Sequence, residues 1–127
     1  MDLLLDTHAL IWWDASSASL SPAAFNAIND PANDVWFSPV SLWEIQIKNS
    51  LGKLPLRAPL AQIIAEQQVH GLLELPVESK HVLALNLLPP VHKDPFDRML
   101  AAQAIAEGLV LITSDSVFNQ YPIKLLW

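Results

Sequence analysis

The stretch Leu3-Leu4-Leu5-Asp6-Thr7-His8-Ala9-Leu10-Ile11-Trp12-Trp13 decides how this chain folds. Three consecutive leucines are too short a run for a helix and leave no polar face, which is the composition of a strand buried on both sides. From Thr7 onward the residues suit a helix, so a strand-to-helix junction falls at Asp6.

Working outward, the same pattern recurs. Ser21-Pro22 opens a second helix running to about Asn29, with serine as N-cap and proline at the first helical position. Val35-Trp36-Phe37 is another short strand, and Ser38-Pro39 repeats the start signal. Val40, Trp43, Ile47 and Leu51 then follow helical spacing, with Gly52 as the stop. Residues 60–70 and 82–88 suit further helices, with a strand at 72–75 between them, and Pro89-Pro90 closes that portion. Asp94-Pro95-Phe96-Asp97 starts a helix reaching about Glu107, Gly108 ends it, and strands follow at 109–112 and 124–126. There is no internal repeat or long linker, and the ten prolines and three glycines punctuate short elements. Strands alternating with helices predict one α/β domain over residues 1–127 with a mostly parallel sheet, because right-handed crossovers place helices on both faces.

In such sheets ligands gather beyond the carboxyl ends of the strands. Asp6 and Asp115 follow strands directly, while Glu44 and Asp97 ride on helices that begin near the same edge. Each acid also has a local role to play. Asp6 can cap the first helix, Asp115 the turn at 116–120, and Asp94 the helix that carries Asp97 in its first turn. Glu44 can pair with Lys48 four residues on. If the four carboxylates meet, their repulsion in a partly desolvated cleft raises some of their pKa values unless cations compensate. An oxygen-only donor set suits Mg²⁺ or Mn²⁺ better than Zn²⁺. Carboxylates holding such a cation can activate water and neutralise charge in phosphodiester hydrolysis. His8, His70, His81 and His92 show no paired metal-ligand spacing, which leaves them as ordinary polar or packing residues, with a catalytic role for His8 or His92 as the alternative.

Composition narrows the classes. A chain of 127 residues with 52% hydrophobic content can bury a complete core. No apolar run approaches the length of a membrane span, and Asp2 and Asp6 stand where a secretory signal would carry positive charge, so a cytoplasmic protein is expected. The absence of cysteine excludes disulfides, thiolate zinc sites and thiol nucleophiles. A net charge of −6 with seven basic residues argues against a broad basic surface for nucleic acid, although bound cations reverse the local field of a carboxylate cluster.

Five ordered motifs resemble one family. They are Leu4 through Trp12, Ser38-Pro39-Val40-Ser41-Leu42-Trp43-Glu44-Ile45, Lys48 through Leu54, His92-Lys93-Asp94-Pro95-Phe96-Asp97-Arg98-Met99-Leu100-Ala101-Ala102-Gln103-Ala104, and Leu111-Ile112-Thr113-Ser114-Asp115. Together they resemble the PIN-domain ribonucleases, and most closely the VapC-like toxins of bacterial toxin–antitoxin pairs. The resemblance implies a PIN-like three-layer α/β/α fold. It also implies that Asp6, Glu44, Asp97 and Asp115 line the Mg²⁺ or Mn²⁺ site of a ribonuclease cutting single-stranded RNA. Thr7 and Thr113 match supporting positions, and Asp94 is placed as a cap or outer group. Lys48, Lys53, Lys93 and Arg98 are the basic residues nearest the expected cleft and the candidates for RNA contact. The same resemblance implies a cognate antitoxin and a homodimer, with Trp12, Trp13, Trp36, Trp43 and Trp127 as aromatic area suited to interfaces. Two other classes compete: a non-catalytic interaction module on the same fold, and a Mg²⁺-dependent phosphoryl-transfer or receiver-like domain. Against the latter, the chain has neither an Asp-x-Asp start nor an adjacent acid pair.

Overall fold

A computed structural model describes all residues 1–127. Five strands form one sheet: β1 (Asp2–Leu5), β2 (Asp34–Phe37), β3 (Leu73–Glu74), β4 (Val110–Ile112) and β5 (Leu125–Leu126). Their spatial order is β3-β2-β1-β4-β5 and every neighbouring pair is parallel. The helices are α1 (Thr7–Asp14), α2 (Pro22–Asn29), α3 (Pro39–Ser50), α4 (Leu60–Val69), α5 (Ser79–Ala84) and α6 (Pro95–Glu107). Short 3₁₀ turns lie at Leu85–Leu87 and Ser116–Gln120. The expected α/β/α layering with a parallel sheet is what forms.

The leucine run explains why β1 is central. Leu3, Leu4 and Leu5 are completely buried, each contributing about 2 kcal/mol through removal of apolar surface from water. Because successive side chains of a strand point to opposite faces, Leu3 and Leu5 join one core with Val35, Phe37, Ala24, Ile28 and Ile45. Leu4 joins the other with Leu100, Ala101, Ala104, Leu111 and Phe118. The register Leu3↔Val35 and Leu4↔Leu111 sets these layers across the sheet. On α6, Ala101, Ala102 and Ala104 are buried, and these small side chains let the helix lie close to the strands.

Local signals start the helices where expected. The Ala9 amide donates to Asp6 Oδ1 at 2.8 Å, the Ala24 amide to Ser21 Oγ, and the Val40 amide to Ser38 Oγ. The Asp94 Oδ1 accepts from the amides of Phe96 and Asp97, and Gly108 closes α6 in the left-handed conformation at φ 66°.

Three expectations change. The helix expected at 82–88 begins three residues earlier and ends as a 3₁₀ turn, because His81 Nδ1 accepts the Glu78 amide at 2.9 Å and thereby caps α5. The strand expected at 72–75 shortens to Leu73–Glu74 at the sheet edge. On α3 the buried residues are Val40, Ser41, Glu44 and Ile45, while Trp43 is 61% exposed and Ile47 and Leu51 also face solvent. The apolar spacing thus located the helix without marking its buried face.

His81 is fully buried. Replacing it with alanine removes the acceptor for the Glu78 amide and leaves a cavity against α6. We expect His81→Ala to lose about 2–3 kcal/mol of unfolding free energy, measured by urea denaturation. A loss below about 0.5 kcal/mol would contradict this account of α5.

Candidate functional site

The strand order reverses direction at β1, with β2 and β3 on one side and β4 and β5 on the other. The carboxyl ends of β1 and β4 therefore flank the switch point where ligands of parallel sheets collect. Asp6 leaves β1 there, its amide donating to the Ile112 carbonyl at 3.1 Å. Thr113 and Asp115 leave β4 beside it.

Asp6 is buried, and desolvation pushes its carboxyl above the ordinary range. The Thr113 hydroxyl, the Ala9 amide and the charge of His8 oppose the rise, while Asp115 adds to it. Asp115 is exposed, with Oδ1 accepting the Val117 amide at 3.0 Å, so it caps the 3₁₀ turn, and its charge bears on Asp6. The Asp115 amide in turn donates to Thr113 Oγ1. Thr7 donates its hydroxyl to Ser41 Oγ at 3.1 Å, tying the start of α1 to the start of α3.

A second pair forms where α3 packs on α6. Glu44 is 4% exposed, and its Oε2 accepts Lys48 Nζ at 2.5 Å, the expected pairing along the helix. Its Oε1 is buried without any hydrogen-bonding partner. That orphaned acceptor is costly unless a cation or donor fills the space in front of it. Asp97 is raised to about 6, first by desolvation and then by the charges of Asp94 and Glu44, with His92 acting against the rise. His92 Nε2 lies 2.8 Å from Asp97 Oδ2, and His92, Asp94 and Asp97 present ligand-type atoms within 4.8 Å of one another. Lys48 is raised through its bond to Glu44 and the further pull of Asp94 and Asp97.

The four sequence-derived acids thus sit as two mutually interacting pairs, Asp6 with Asp115 and Glu44 with Asp97, linked by the Thr7–Ser41 bond between α1 and α3. Asp94 is an N-cap whose charge bears on Asp97. Of the basic candidates, Lys53 and Lys93 are exposed, Lys48 is engaged with Glu44, and Arg98 points inward to the carbonyls of Leu85, Pro89 and His92. Of the two histidines held open as catalytic, His92 meets an acid directly, while His8 packs on the Trp12 ring, with centroids 5.4 Å apart.

Two features were missed. Trp43 and Phe96, each next in sequence to one of the acids, meet edge to face at 5.1 Å and leave the Trp43 ring exposed. The sequence grouped Trp43 with packing residues by helical spacing and with interface aromatics, but not with Phe96; the adjacency of Trp43 to Glu44 and of Phe96 to Asp97 was the signal available. The inward turn of Arg98 had no sequence signal.

The donor set at this edge is chemically suited to a cation. Buried oxygen donors, two carboxyls raised by desolvation and one unpartnered oxygen together fit a hard divalent ion. No helix is long and apolar enough to cross a membrane.

Comparison with known proteins agrees with the sequence resemblance. The chain is 29% identical over 113 residues to Ribonuclease VapC22 of Mycobacterium tuberculosis, covering 89% of this chain and 86% of that protein. Its fold is similar to that in the VapBC2 structure from Rickettsia felis bound to a promoter DNA fragment, with a TM-score of 0.69, 19% identity, and 99% and 98% of the two chains covered. It is also similar to VapBC-5 of Mycobacterium tuberculosis, a member of the VapBC family of toxin–antitoxin systems, with a TM-score of 0.63, 19% identity, and 98% and 97% covered. The PIN-domain model matches residues 3–124, which takes in the central sheet from β1 to β4 and all four acids, and the chain therefore belongs to the PIN-domain family.

Proposed function

We propose that this protein is a divalent-cation-dependent endoribonuclease that hydrolyses single-stranded RNA and acts as the toxin of a toxin–antitoxin pair. The observation that carries the reading is the orphaned Glu44 oxygen, buried beside a raised Asp97 at the sheet edge of a PIN-domain chain. The similarity to a mycobacterial ribonuclease supports the choice of RNA.

Asp6, Glu44 and Asp97 would hold the cation, with Asp115 completing the set or standing in its outer shell. Mg²⁺ or Mn²⁺ there would supply an activated water and stabilise the charge that builds on phosphorus and the leaving oxygen. Glu44, whose Oε1 is buried and unpartnered, would offer that oxygen to the cation or take a proton from water there. Thr113 steadies Asp6, and Thr7 and Ser41 keep α1 and α3 in register. Lys53 and Lys93, being exposed, are the basic residues placed to meet phosphates, and the exposed Trp43 face is suited to stacking an unpaired base.

The VapBC assemblies among the structural neighbours support an antitoxin partner. A basic side chain from such a partner, inserted among the carboxylates, would replace the cation with charge-assisted hydrogen bonds. Exposed Trp43, Leu51, Leu83 and Leu87 offer apolar area for the antitoxin and for a second copy of the chain.

Purified protein is expected to cut labelled single-stranded RNA with Mg²⁺ or Mn²⁺, to stop on chelation, and to resume when excess Mn²⁺ is restored. Cleavage indifferent to chelation would sink the cation dependence. Binding of RNA without cleavage under either ion would instead identify a non-catalytic module.

A further inference from the structure

His92 precedes the α6 cap by two residues, in a segment without regular structure, yet it is firmly placed. Arg98, one turn into α6, donates from its guanidinium to the carbonyls of Pro89 at 3.0 Å, Leu85 at 3.3 Å and His92 at 3.4 Å. Pro89 and Pro90 restrict the same backbone. The side chain crosses the start of α6 and brings Nε2 to 2.8 Å from Asp97 Oδ2. An ionised carboxylate has acceptors alone, so Nε2 carries the hydrogen and donates it.

This geometry bears on the cation. A carboxylate in the first turn of a helix can rotate and present either oxygen or both. Here one oxygen is held by an imidazole, which is itself held by a backbone that Arg98 anchors. Outer hydrogen bonds of this kind fix the orientation of a ligand and commonly account for tenfold or more in metal affinity. We infer that His92 is a positioning residue for the cation site: its Nε2–H holds Asp97 Oδ2 and leaves Oδ1 as the oxygen presented to the ion. The inference rests on the proposed role of Asp97 as a ligand and adds a residue to it. Ligation through His92 Nε2 would require its bond to Asp97 to break, and the neighbouring Asp94 Oδ1 is already committed to the amides of Phe96 and Asp97.

The experiment is Mn²⁺ binding to the full chain, by titration calorimetry and by pulsed electron paramagnetic resonance, for the wild type, His92→Ala, His92→Gln and Asp97→Asn. His92→Ala is expected to bind Mn²⁺ about tenfold more weakly. The amide nitrogen of a glutamine reaches the place of Nε2, so His92→Gln is expected to recover binding to within about threefold of the wild type. The wild-type spectrum is expected to show no coupling of the ion to an imidazole nitrogen of His92. Equal binding by wild type and folded His92→Ala overturns the inference alone, as does a His92→Gln protein as weak as His92→Ala. A nitrogen coupling that disappears in His92→Ala overturns it by making His92 a ligand. A wild type that binds no Mn²⁺, or an Asp97→Asn protein that binds it undiminished, overturns the reading of Asp97 on which the inference rests.

Discussion

Asp97→Asn is expected to lower cation-dependent RNA cleavage by at least about 10³-fold, while making the cation-free protein more stable at neutral pH. The substitution keeps the shape of the side chain, the amide that Asp94 caps and an oxygen able to accept from His92. What it removes is the negative charge. If Asp97 is a ligand, that charge supplies several kcal/mol of electrostatic stabilisation to the cation and through it to the transition state, and about 4 kcal/mol corresponds to three orders of magnitude in rate. Without a cation the charge is a liability, since desolvation, Asp94 and Glu44 all oppose it. Loss of activity together with gain of stability is the signature of a residue kept for function rather than for folding. Single-turnover cleavage and urea denaturation without added metal measure the two effects. A folded Asp97→Asn protein that cleaves at the wild-type rate refutes the ligand assignment.

The second large effect is on the pH dependence of stability. Asp97 has its carboxyl raised from 3.8 in the ordinary case to about 6 in the fold. A raised acid binds more protons in the native state than in the unfolded one between those values, so stability falls as pH rises through that window. The favourable contribution is present below about pH 4 and gone above about pH 6, and its size is on the order of 2–3 kcal/mol. Asp6, raised by burial, acts in the same direction. Glu66 and Glu107, lowered by Arg57 and Lys80, act oppositely, but their stabilisation is lost only as pH falls below the ordinary glutamate value of 4.5. Between pH 5 and 7.5 the cation-free protein should therefore lose stability. With saturating Mg²⁺ the trend should reverse, because the ion binds the ionised carboxylates and stabilises the native state by mass action. Asp97→Asn should flatten the cation-free curve. Urea midpoints across this range decide it, and a cation-free stability that climbs with pH in the wild type would show that burial does not raise the Asp97 and Asp6 carboxyls as described.

The acids differ in how far the chain alone revealed them. Asp6, Asp94 and Asp115 were legible because a cap is a local event: the side chain bonds an amide two or three residues on, and the pattern lies within a few positions. That Asp6 and Asp115 belong to one sheet edge followed from their places after strands, while a joint metal role was implied by the family resemblance alone. Glu44 was legible as a partner of Lys48 but not as a buried carboxylate. The spacing of Val40, Trp43, Ile47 and Leu51 pointed to a face that is largely exposed, because α3 is wedged between α1 and α6 and its burial is set by those neighbours rather than by its own stripe. Residues 82–88 failed for a related reason. A histidine serving as an amide acceptor moved the start of α5, and histidine is not a usual capping signal.

By itself the sequence determined the strand and helix identities, the parallel α/β class and the positions of acids at strand ends, because these depend on short-range periodicity, caps and proline and glycine punctuation. The tertiary structure alone decided the strand order that puts β1 beside β4, the burial of Glu44 with one oxygen unpartnered, the inward turn of Arg98 and the seating of His92 on Asp97. Those are contacts between segments brought together by packing, and the energy that selects them comes from burying both faces of the sheet at once.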